Sequence, residues 1–182
     1  MQTVARRSVV GLAWVPGAAL AFPNAIDEAA QFADRPKRPG PKPSDLGVKI
    51  REGDDPELRV CGAAPNCFST TPDDVAPEHV IERWAAPADA TRERAWKDVV
   101  DVVEAYAPGQ QGVDGGGFRV VAADGTYLYA QFESLKNGYV DDVEVALSPA
   151  APYVVQVRSS SRLGYLDFGV NAKRLNALAA GL

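Results

Sequence analysis

The chain has few of the side chains that enzymes and metal sites most often use. Its 182 residues include one His, one Met and two Cys. A basic excess is also missing, because 24 Asp and Glu outnumber 19 Lys and Arg and give a formal net charge of −5. Nucleic-acid binding needs a basic face that neutralises phosphates. We therefore expect no nucleic-acid partner, no metal, no cofactor and no assigned catalytic residue.

The rest of the composition is ordinary for a globular protein. Hydrophobic residues make up 46% of the chain and charged residues 24%, close to the average for soluble domains. Such a composition excludes a wholly disordered chain, a collagen-like chain and a protein with many membrane spans. The length predicts one domain with additional segments.

The first 21 residues have the pattern of an export signal. Arg6 and Arg7 precede a mostly apolar stretch that ends in Ala19-Leu20-Ala21. A basic start, a short apolar run and a small-x-small ending are typical of a secretory signal, and paired arginines of a twin-arginine signal. The apolar run is shorter than the roughly 20 residues of a membrane-spanning helix, so we expect a peripheral protein. The alternative is an ordinary amphipathic N-terminal segment.

Residues 22–60 are predicted to form an extended arm. Four prolines between residues 36 and 43 exclude a helix or a central strand there. The arm carries basic side chains on an otherwise acidic protein, which favours docking along an acidic partner. The alternative is a solvated linker. The proposed docking residues are Arg35, Lys37, Arg38 and Lys42.

Cys61 and Cys67 are predicted to form a disulfide. An exported chain with two cysteines is expected to pair them, and Gly62 and Pro65-Asn66 favour the turns that would bring them together. Free thiols and a metal site are the alternatives. Zinc sites usually have closer ligand spacing and further ligands, which disfavours the metal site.

Residues 61–182 are predicted to form the globular domain. Apolar side chains recur at helical spacing from Trp96 to Tyr106, so a helix is expected to begin at Asp89 or Thr91 and to end near residue 107. A second helix is expected over about 169–180. Between them, Asp124-Gly125 and Asn137-Gly138 are turn sequences that separate segments with strand-like alternation.

The resulting fold class is α+β, a four-stranded antiparallel meander with two helices packed on one face, plus the extended N-terminal arm. In the third predicted strand, Val143, Val145 and Leu147 alternate with Asp142 and Glu144. We expect the valine–leucine face in the core and the carboxylate face in solvent.

Three segments then carry a family resemblance. They are Cys61 with Pro65-Asn66-Cys67-Phe68-Ser69-Thr70, then Asp141-Asp142-Val143-Glu144-Val145, and the run from Arg158-Ser-Ser-Ser-Arg162 through Asp167-Phe168-Gly169-Val170-Asn171. In this order they resemble the domain-of-unknown-function family 1499, found in bacteria and in plastids of plants and algae. The resemblance implies a plastid location in the thylakoid lumen, with a bacterial periplasm as the alternative, and implies no activity.

The third segment is the candidate binding loop. Its polar residues are expected to converge at one end of the sheet, where guanidinium and hydroxyl groups could bind an anion. The alternative is a structural network in which Asp167 caps the last helix and pairs with Arg158 or Arg162. The residues concerned are Arg158, Ser159, Ser160, Ser161, Arg162, Asp167, Asn171 and Arg174.

Catalysis is the least favoured reading of these residues. A serine nucleophile needs a base within hydrogen-bond reach, and the chain's single histidine, His79, lies in a distant loop. The sequence therefore favours a non-enzymatic thylakoid-lumen accessory protein that docks on a photosynthetic membrane complex, with photosystem subunits as partners of the arm. The alternatives are a soluble module that binds an anionic small molecule or lipid headgroup, and a hydrolase of unknown substrate.

Overall fold

A computed structural model describes residues 22–50 and 56–182 of the protein. The predicted signal segment over 1–21 lies outside these residues. One antiparallel sheet dominates the fold, with strand order β1-β6-β5-β4-β3 and with β2 also paired to β6. The strands are β1 (Cys67–Ser69), β2 (Trp84–Ala85), β3 (Phe118–Ala123), β4 (Tyr127–Glu133), β5 (Val140–Leu147) and β6 (Val154–Ser161).

The predicted meander order is confirmed for β3 to β6, but the predicted number of four strands was wrong. β1 pairs with residues 158–160 of β6 and β2 with residues 154–155, so the two short strands follow the same edge of β6. Segments of two and three residues are too short to show a period-two pattern. They pair because the edge of β6 has unpaired backbone groups, and the sequence of the two short segments does not show that this edge lies beside them.

Two α-helices pack against one face of the sheet, as predicted for an α+β fold. They are α1 (Arg92–Glu104) and α2 (Val170–Ala179). The Thr91 hydroxyl accepts a hydrogen bond from the Arg94 amide at 3.3 Å and caps α1. Both helices contribute to the same core, α1 through Ala95, Val99 and Val103 and α2 through Leu175 and Leu178. Neither helix, nor any other within the described ranges, is long and apolar enough to cross a membrane.

Three aromatic rings pack against one another in the core between the helices and the sheet. The Phe118 and Phe132 rings stack with centroids 5.0 Å apart, and the Tyr106 ring meets both edge-on. Such pairs contribute roughly 0.5–1.5 kcal/mol each beyond their area burial. The strand side chains beneath them are fully buried and alternate along each strand; they include Leu128, Ala130, Val143, Val145 and Val157.

The N-terminal arm forms a third layer on the opposite face of the sheet. The Lys37 ammonium lies 2.5 Å from a Glu133 carboxylate oxygen, and the Gly47 amide donates to Glu144 at 2.6 Å. The Lys42 ammonium lies over the Tyr129 ring, 5.1 Å from its centroid. The predicted extended arm is therefore only partly so: Asp27–Phe32 form a short 3-10 helix, whereas residues 33–50 contain no helix. The arm packs on its own domain along much of its length.

Gly40 shows how closely the arm approaches the sheet. Its backbone is left-handed, with φ of +70°, and a Cβ there would come within 2.9 Å of the Arg162 side chain. Glycine meets both demands because it has no side chain.

The covering arm overturns the expectation that the carboxylate face of β5 is in solvent. Asp142 is 0% and Glu144 1% exposed. All eight residues of β5 are buried, so this strand is enclosed from both sides. The predicted inner face, with Val143, Val145 and Leu147, is confirmed.

The predicted disulfide between Cys61 and Cys67 is confirmed, with the two Cα atoms 5.5 Å apart. It ties the segment before β1 to the first residue of that strand. His79 is buried beside it, and its Nδ1 lies 3.0 Å from the Gly62 carbonyl oxygen. The histidine thus braces the disulfide loop.

Candidate docking surface

The most distinctive surface of the described chain lies at one end of the sheet, in the connection between β6 and α2. We call residues 163–168 the apolar loop. Its large side chains face solvent: Phe168 is 88% exposed, Tyr165 67% and Leu166 59%. Together with Tyr139 from the β4–β5 turn, Leu163, Leu166 and Phe168 line a groove of about 490 Å³. Exposed apolar residues that cluster in this way mark interaction sites.

The backbone of the apolar loop holds Phe168 outward. Phe168 has a left-handed φ of +55°, which is uncommon and costly for a bulky residue. The turn is fixed by Asp167, whose carboxylate accepts hydrogen bonds from the amides of Gly169 at 2.9 Å and Asn171 at 2.8 Å. The structure thus has Asp167 capping the start of α2, one of the two roles expected of it.

A buried ionic cluster supports the groove from below. Arg174 is fully buried, and its guanidinium bonds both Asp114 and Asp141, with 2.8 Å from Nη2 to Asp141. It also donates to Ser159 Oγ at 2.9 Å. The guanidinium carbon lies 4.7 Å from the centre of the Phe132 ring, a cation–π contact. One arginine therefore joins α2, β5, β6 and the turn before β3.

The charges in this cluster are unequal, since one guanidinium faces two carboxylates. Burial raises the pKa of Asp141, and the facing Arg174 opposes that rise. Burial alone would lower the pKa of Arg174, but the charges of Asp114 and Asp141 outweigh it and raise the pKa above its usual value. Burial and the Asp114 carboxylate together raise the pKa of Tyr106, whose hydroxyl donates to Asp114 at 2.7 Å.

Asn171 is the second buried junction. Its Nδ2 group donates to Ser161 Oγ at 2.9 Å, to the Asn66 carbonyl at 3.0 Å and to Asp167 at 2.9 Å. Its Oδ1 atom accepts from Arg174 at 2.8 Å and from Ser159 Oγ at 2.5 Å. The side chain is fully hydrogen-bonded and fully buried. A buried polar network satisfied in this way rigidifies the core and favours one arrangement of it.

The residues of the candidate binding loop divide between the two faces of the sheet. Ser159, Ser161, Asn171 and Arg174 meet on the helix face. Arg158 and Arg162 lie on the arm face, because residues along β6 alternate in direction. Ser160 lies between Arg158 and Arg162 along the chain, where it pairs with Cys67 of β1 and Asp142 of β5.

The two arm-face arginines pair with β5 and not with Asp167, so the expected pairing of Asp167 with Arg158 or Arg162 was wrong. Arg162 binds both oxygens of Asp142, at 2.8 and 2.7 Å. Arg158 lies 3.4 Å from a Glu144 oxygen. The hydrogen bonds from Arg162 to Asp142 raise the pKa of this arginine, whereas burial lowers the pKa of Arg158.

The predicted docking residues of the arm have separate environments. Lys37 and Lys42 contact the sheet, as described above. Arg35 lies over the Phe32 ring of its own segment, 4.9 Å from the centroid. Arg38 is exposed at the rim of the groove. Of the four, Arg38 is the one that borders the apolar surface.

Sequence reasoning missed Asp114 as a partner of Arg174. Asp114 is 3% exposed and has a left-handed φ of +57°, a conformation that Asp tolerates better than most residues. A lone acidic residue directly before Gly115-Gly116-Gly117 is the available signal. That signal marks a special backbone position but does not identify the distant arginine.

The described residues do not form a recognisable catalytic set. Ser159 and Ser161 bond to Asn171 and Arg174, whereas His79 bonds to Gly62. Within residues 22–50 and 56–182, no group of three or more His, Cys, Asp or Glu side chains could hold a metal ion. The arrangement can bind a partner at the groove and has a rigid ionic support beneath it.

Comparison with known proteins gives one match. The family model described as "Protein of unknown function (DUF1499)" matches residues 57–182. No curated protein and no solved structure matches the chain. The matched region begins at Glu57 and thus includes the sheet, both helices, the disulfide and the apolar loop, while the arm over 22–50 lies before it.

Proposed function

The chain belongs to the DUF1499 family, and from that premise we propose that it is a non-enzymatic accessory protein that docks on a membrane protein complex through the apolar loop. The observation that carries this proposal is the exposure of Tyr165, Leu166 and Phe168 beside a groove of about 490 Å³. A strained backbone at Phe168 maintains that exposure.

A protein partner fits this surface better than a bare lipid bilayer does. The groove is concave, and its lining includes the polar side chains of Asp141, Ser134 and Ser161. An acidic chain with a net charge of −5 is not drawn to an anionic membrane surface. Arg38 at the rim could pair with a carboxylate of the partner while an apolar side chain of the partner fills the groove.

The internal pairing of the arginines disfavours the anion-binding alternative. Arg162 and Arg174 make close bonds to carboxylates, and Arg158 faces Glu144. A phosphate or headgroup would have to displace those carboxylates. The hydrolase alternative gains no support either, because no hydrogen bond of the described residues joins His79 to Ser159 or Ser161.

The compartment and the identity of the complex belong to the same proposal. The disulfide fits an oxidising compartment, which the thylakoid lumen and the bacterial periplasm both provide. The export pattern and the plastid members of the family favour the lumen, and with it a photosystem as the complex. The arm keeps a secondary role, since Arg38 borders the groove while Lys37 and Lys42 hold the arm to the sheet.

The test is native electrophoresis of detergent-solubilised membranes from cells that produce the full chain, combined with photo-crosslinking from position 166. We expect the wild type to migrate with a membrane complex and to crosslink to a subunit of it. The double variant Leu166→Ser/Phe168→Ser should migrate alone. Val75→Ser is the matched control, because Val75 is 80% exposed and lies outside the groove.

Two results would contradict docking through the loop. One is a wild-type chain that migrates alone at all protein levels. The other is a double variant that remains with the complex, which would return the arm to consideration as the docking element.

A further inference from the structure

We infer that Asn66 is the positioning residue of the apolar loop, and that the Cys61–Cys67 disulfide makes docking depend on the oxidised state of the chain. The docking part of this inference rests on the proposed function. The positioning part rests on the contacts of Asn66 alone.

Asn66 bonds the chain before, within and after the apolar loop. Its side-chain Nδ2 group donates to the Gly164 carbonyl at 2.7 Å. Its backbone carbonyl accepts from the Ser161 amide at 3.0 Å and from Asn171 Nδ2 at 3.0 Å. Asn66 is 6% exposed; its bond to the exposed Gly164 is partly buried, and the bond that its carbonyl accepts from Asn171 is buried. These bonds fix both ends of the loop to one residue.

The bond to Gly164 holds the loop at one of its two left-handed residues, the other being Phe168. Gly164 has a left-handed φ of +88°, and the apolar side chains of Leu163, Tyr165 and Leu166 flank it. When Nδ2 no longer holds the carbonyl, the peptide can rotate and the three side chains lose their common orientation. The loop itself remains attached, because Asp167 still caps α2.

The disulfide fixes Asn66, since Asn66 directly precedes Cys67 in the loop that the S–S bond closes. Closing a loop removes conformations from the segment inside it. The far side of the disulfide loop has its own contacts: the Gly62 amide donates to Asp73 at 3.2 Å, and the Gly62 carbonyl lies 3.0 Å from His79 Nδ1. Cleavage of the disulfide removes the covalent link and leaves Asn66 held only by its own hydrogen bonds and by the pairing of Cys67 with Ser160. We expect the Asn66 side of the loop to become more mobile while the sheet stays intact.

Cys61 is partly exposed, whereas Cys67 is buried, so we take the Cys61 sulfur as the one that a dithiol reductant attacks. The dithiol attacks the S–S bond and forms a mixed disulfide, and its second thiol then releases the protein. The protein disulfide gains two electrons and two protons and becomes two thiols, while the dithiol is oxidised to a disulfide. A disulfide-bearing oxidoreductase of the native compartment would take up the two electrons and two protons, become a dithiol itself and restore the S–S bond and the docking geometry.

Limited proteolysis of the full chain with chymotrypsin measures the positioning directly, because Tyr165, Leu166 and Phe168 are its preferred sites. We compare the oxidised wild type, the wild type reduced with dithiothreitol, and oxidised Asn66→Ala. Loss of one hydrogen bond should speed cleavage at the loop about fivefold, and reduction should have a similar effect. Ala63→Ser is the matched control in the same disulfide loop and should match the wild type.

Circular dichroism and the cleavage rate elsewhere in the chain show whether each sample is folded. If Asn66→Ala fails to fold, Asn66→Asp replaces it, since this variant has the same shape and lacks the Nδ2 donor to Gly164; the reduced wild type needs no substitution and tests the redox part. Equal loop cleavage in oxidised and reduced wild type would overturn the redox part, and equal cleavage in wild type and folded Asn66→Ala would overturn the positioning part.

The native-electrophoresis assay described above separates this inference from the proposed function. Binding by oxidised wild type and its loss on reduction support both. If reduced chain binds as well as oxidised chain, the redox dependence is wrong although docking stands. If neither form binds, the docking proposal fails, and the chymotrypsin rates still decide the role of Asn66.

Discussion

Replacing Arg174 with methionine removes the guanidinium that faces Asp114 and Asp141 while keeping most of the side chain's apolar stem. Both carboxylates are buried, and the variant leaves them close together without that cation. Breaking a buried ion pair by removal of one partner costs about 3–5 kcal/mol. Because methionine limits the cavity, we expect a loss of about 4 kcal/mol in the free energy of unfolding at pH 7, a large share of typical domain stability.

The loss in the free energy of unfolding should also depend on pH, and the titration of Asp141 sets the direction of that dependence. In the wild type, burial raises the folded-state pKa of Asp141 above the usual value of an aspartate. A carboxyl with a raised pKa binds more protons in the folded than in the unfolded state, so stability falls as pH rises from the unfolded pKa through the folded one. Arg174 opposes the rise, so the variant's pKa moves further up.

The difference in the free energy of unfolding between wild type and Arg174→Met should therefore be smaller near pH 4 than at pH 7. It should widen by about 1.4 kcal/mol for each unit by which the variant's Asp141 pKa exceeds that of the wild type. Urea unfolding followed by circular dichroism at pH 4, 5.5 and 7 measures this.

Arg119→Met is the control, because Arg119 is an exposed arginine that pairs with the neutral Gln131. It should change stability by no more than about 0.5 kcal/mol. A loss under about 1 kcal/mol for Arg174→Met at pH 7, or a gap that is equal at pH 4 and pH 7, would refute the assigned role of the buried cluster.

Two further substitutions probe the supports on either side of the sheet. Asp167→Ala should lower the free energy of unfolding by about 1 kcal/mol through loss of the α2 cap; unchanged thermal unfolding with lost docking would instead make Asp167 a contact residue of the partner. Glu144→Gln should cost about 2 kcal/mol, because it removes the charge that faces Arg158 and weakens the acceptor of the Gly47 amide from a carboxylate to a neutral amide oxygen. It should also speed tryptic cleavage after Lys49 in the arm, and an unchanged cleavage rate would contradict the coupling of arm and sheet.

Local sequence signals were sufficient to predict most of the helices, strands and turns of the domain. Asp124-Gly125 and Asn137-Gly138 mark the turns that order β3, β4 and β5, and Thr91 marks the start of α1. The paired cysteines and the cap at Asp167 were predictable for the same reason. In each case the deciding interaction lies within a few residues of the signal.

The polar interior was not predictable in this way. Asp142 and Glu144 have the pattern of an exposed strand face, and the arm that covers them has no apolar periodicity. Arg174 is fully buried because Asp114, sixty residues away along the chain, meets it across the core. The candidate site combines these distant partners, so the sequence indicated the loop but not the apolar surface that the buried cluster supports.

The three ion pairs of β5 have a consequence for strand alignment. An apolar pattern with a period of two penalises a slip by one residue, which exchanges the two faces, but it hardly penalises a slip by two. Here Asp141, Asp142 and Glu144 each meet their own arginine: Arg174, Arg162 and Arg158. A slip by two in one direction would place Ala146 opposite Arg158 and leave a buried guanidinium without an anion. The opposite slip would place Glu144 opposite Gln156 and leave a buried carboxylate without its cation. The charged residues thus exclude the misalignment that hydrophobic burial alone would tolerate, and they make β5 the strand that sets the register for its neighbours.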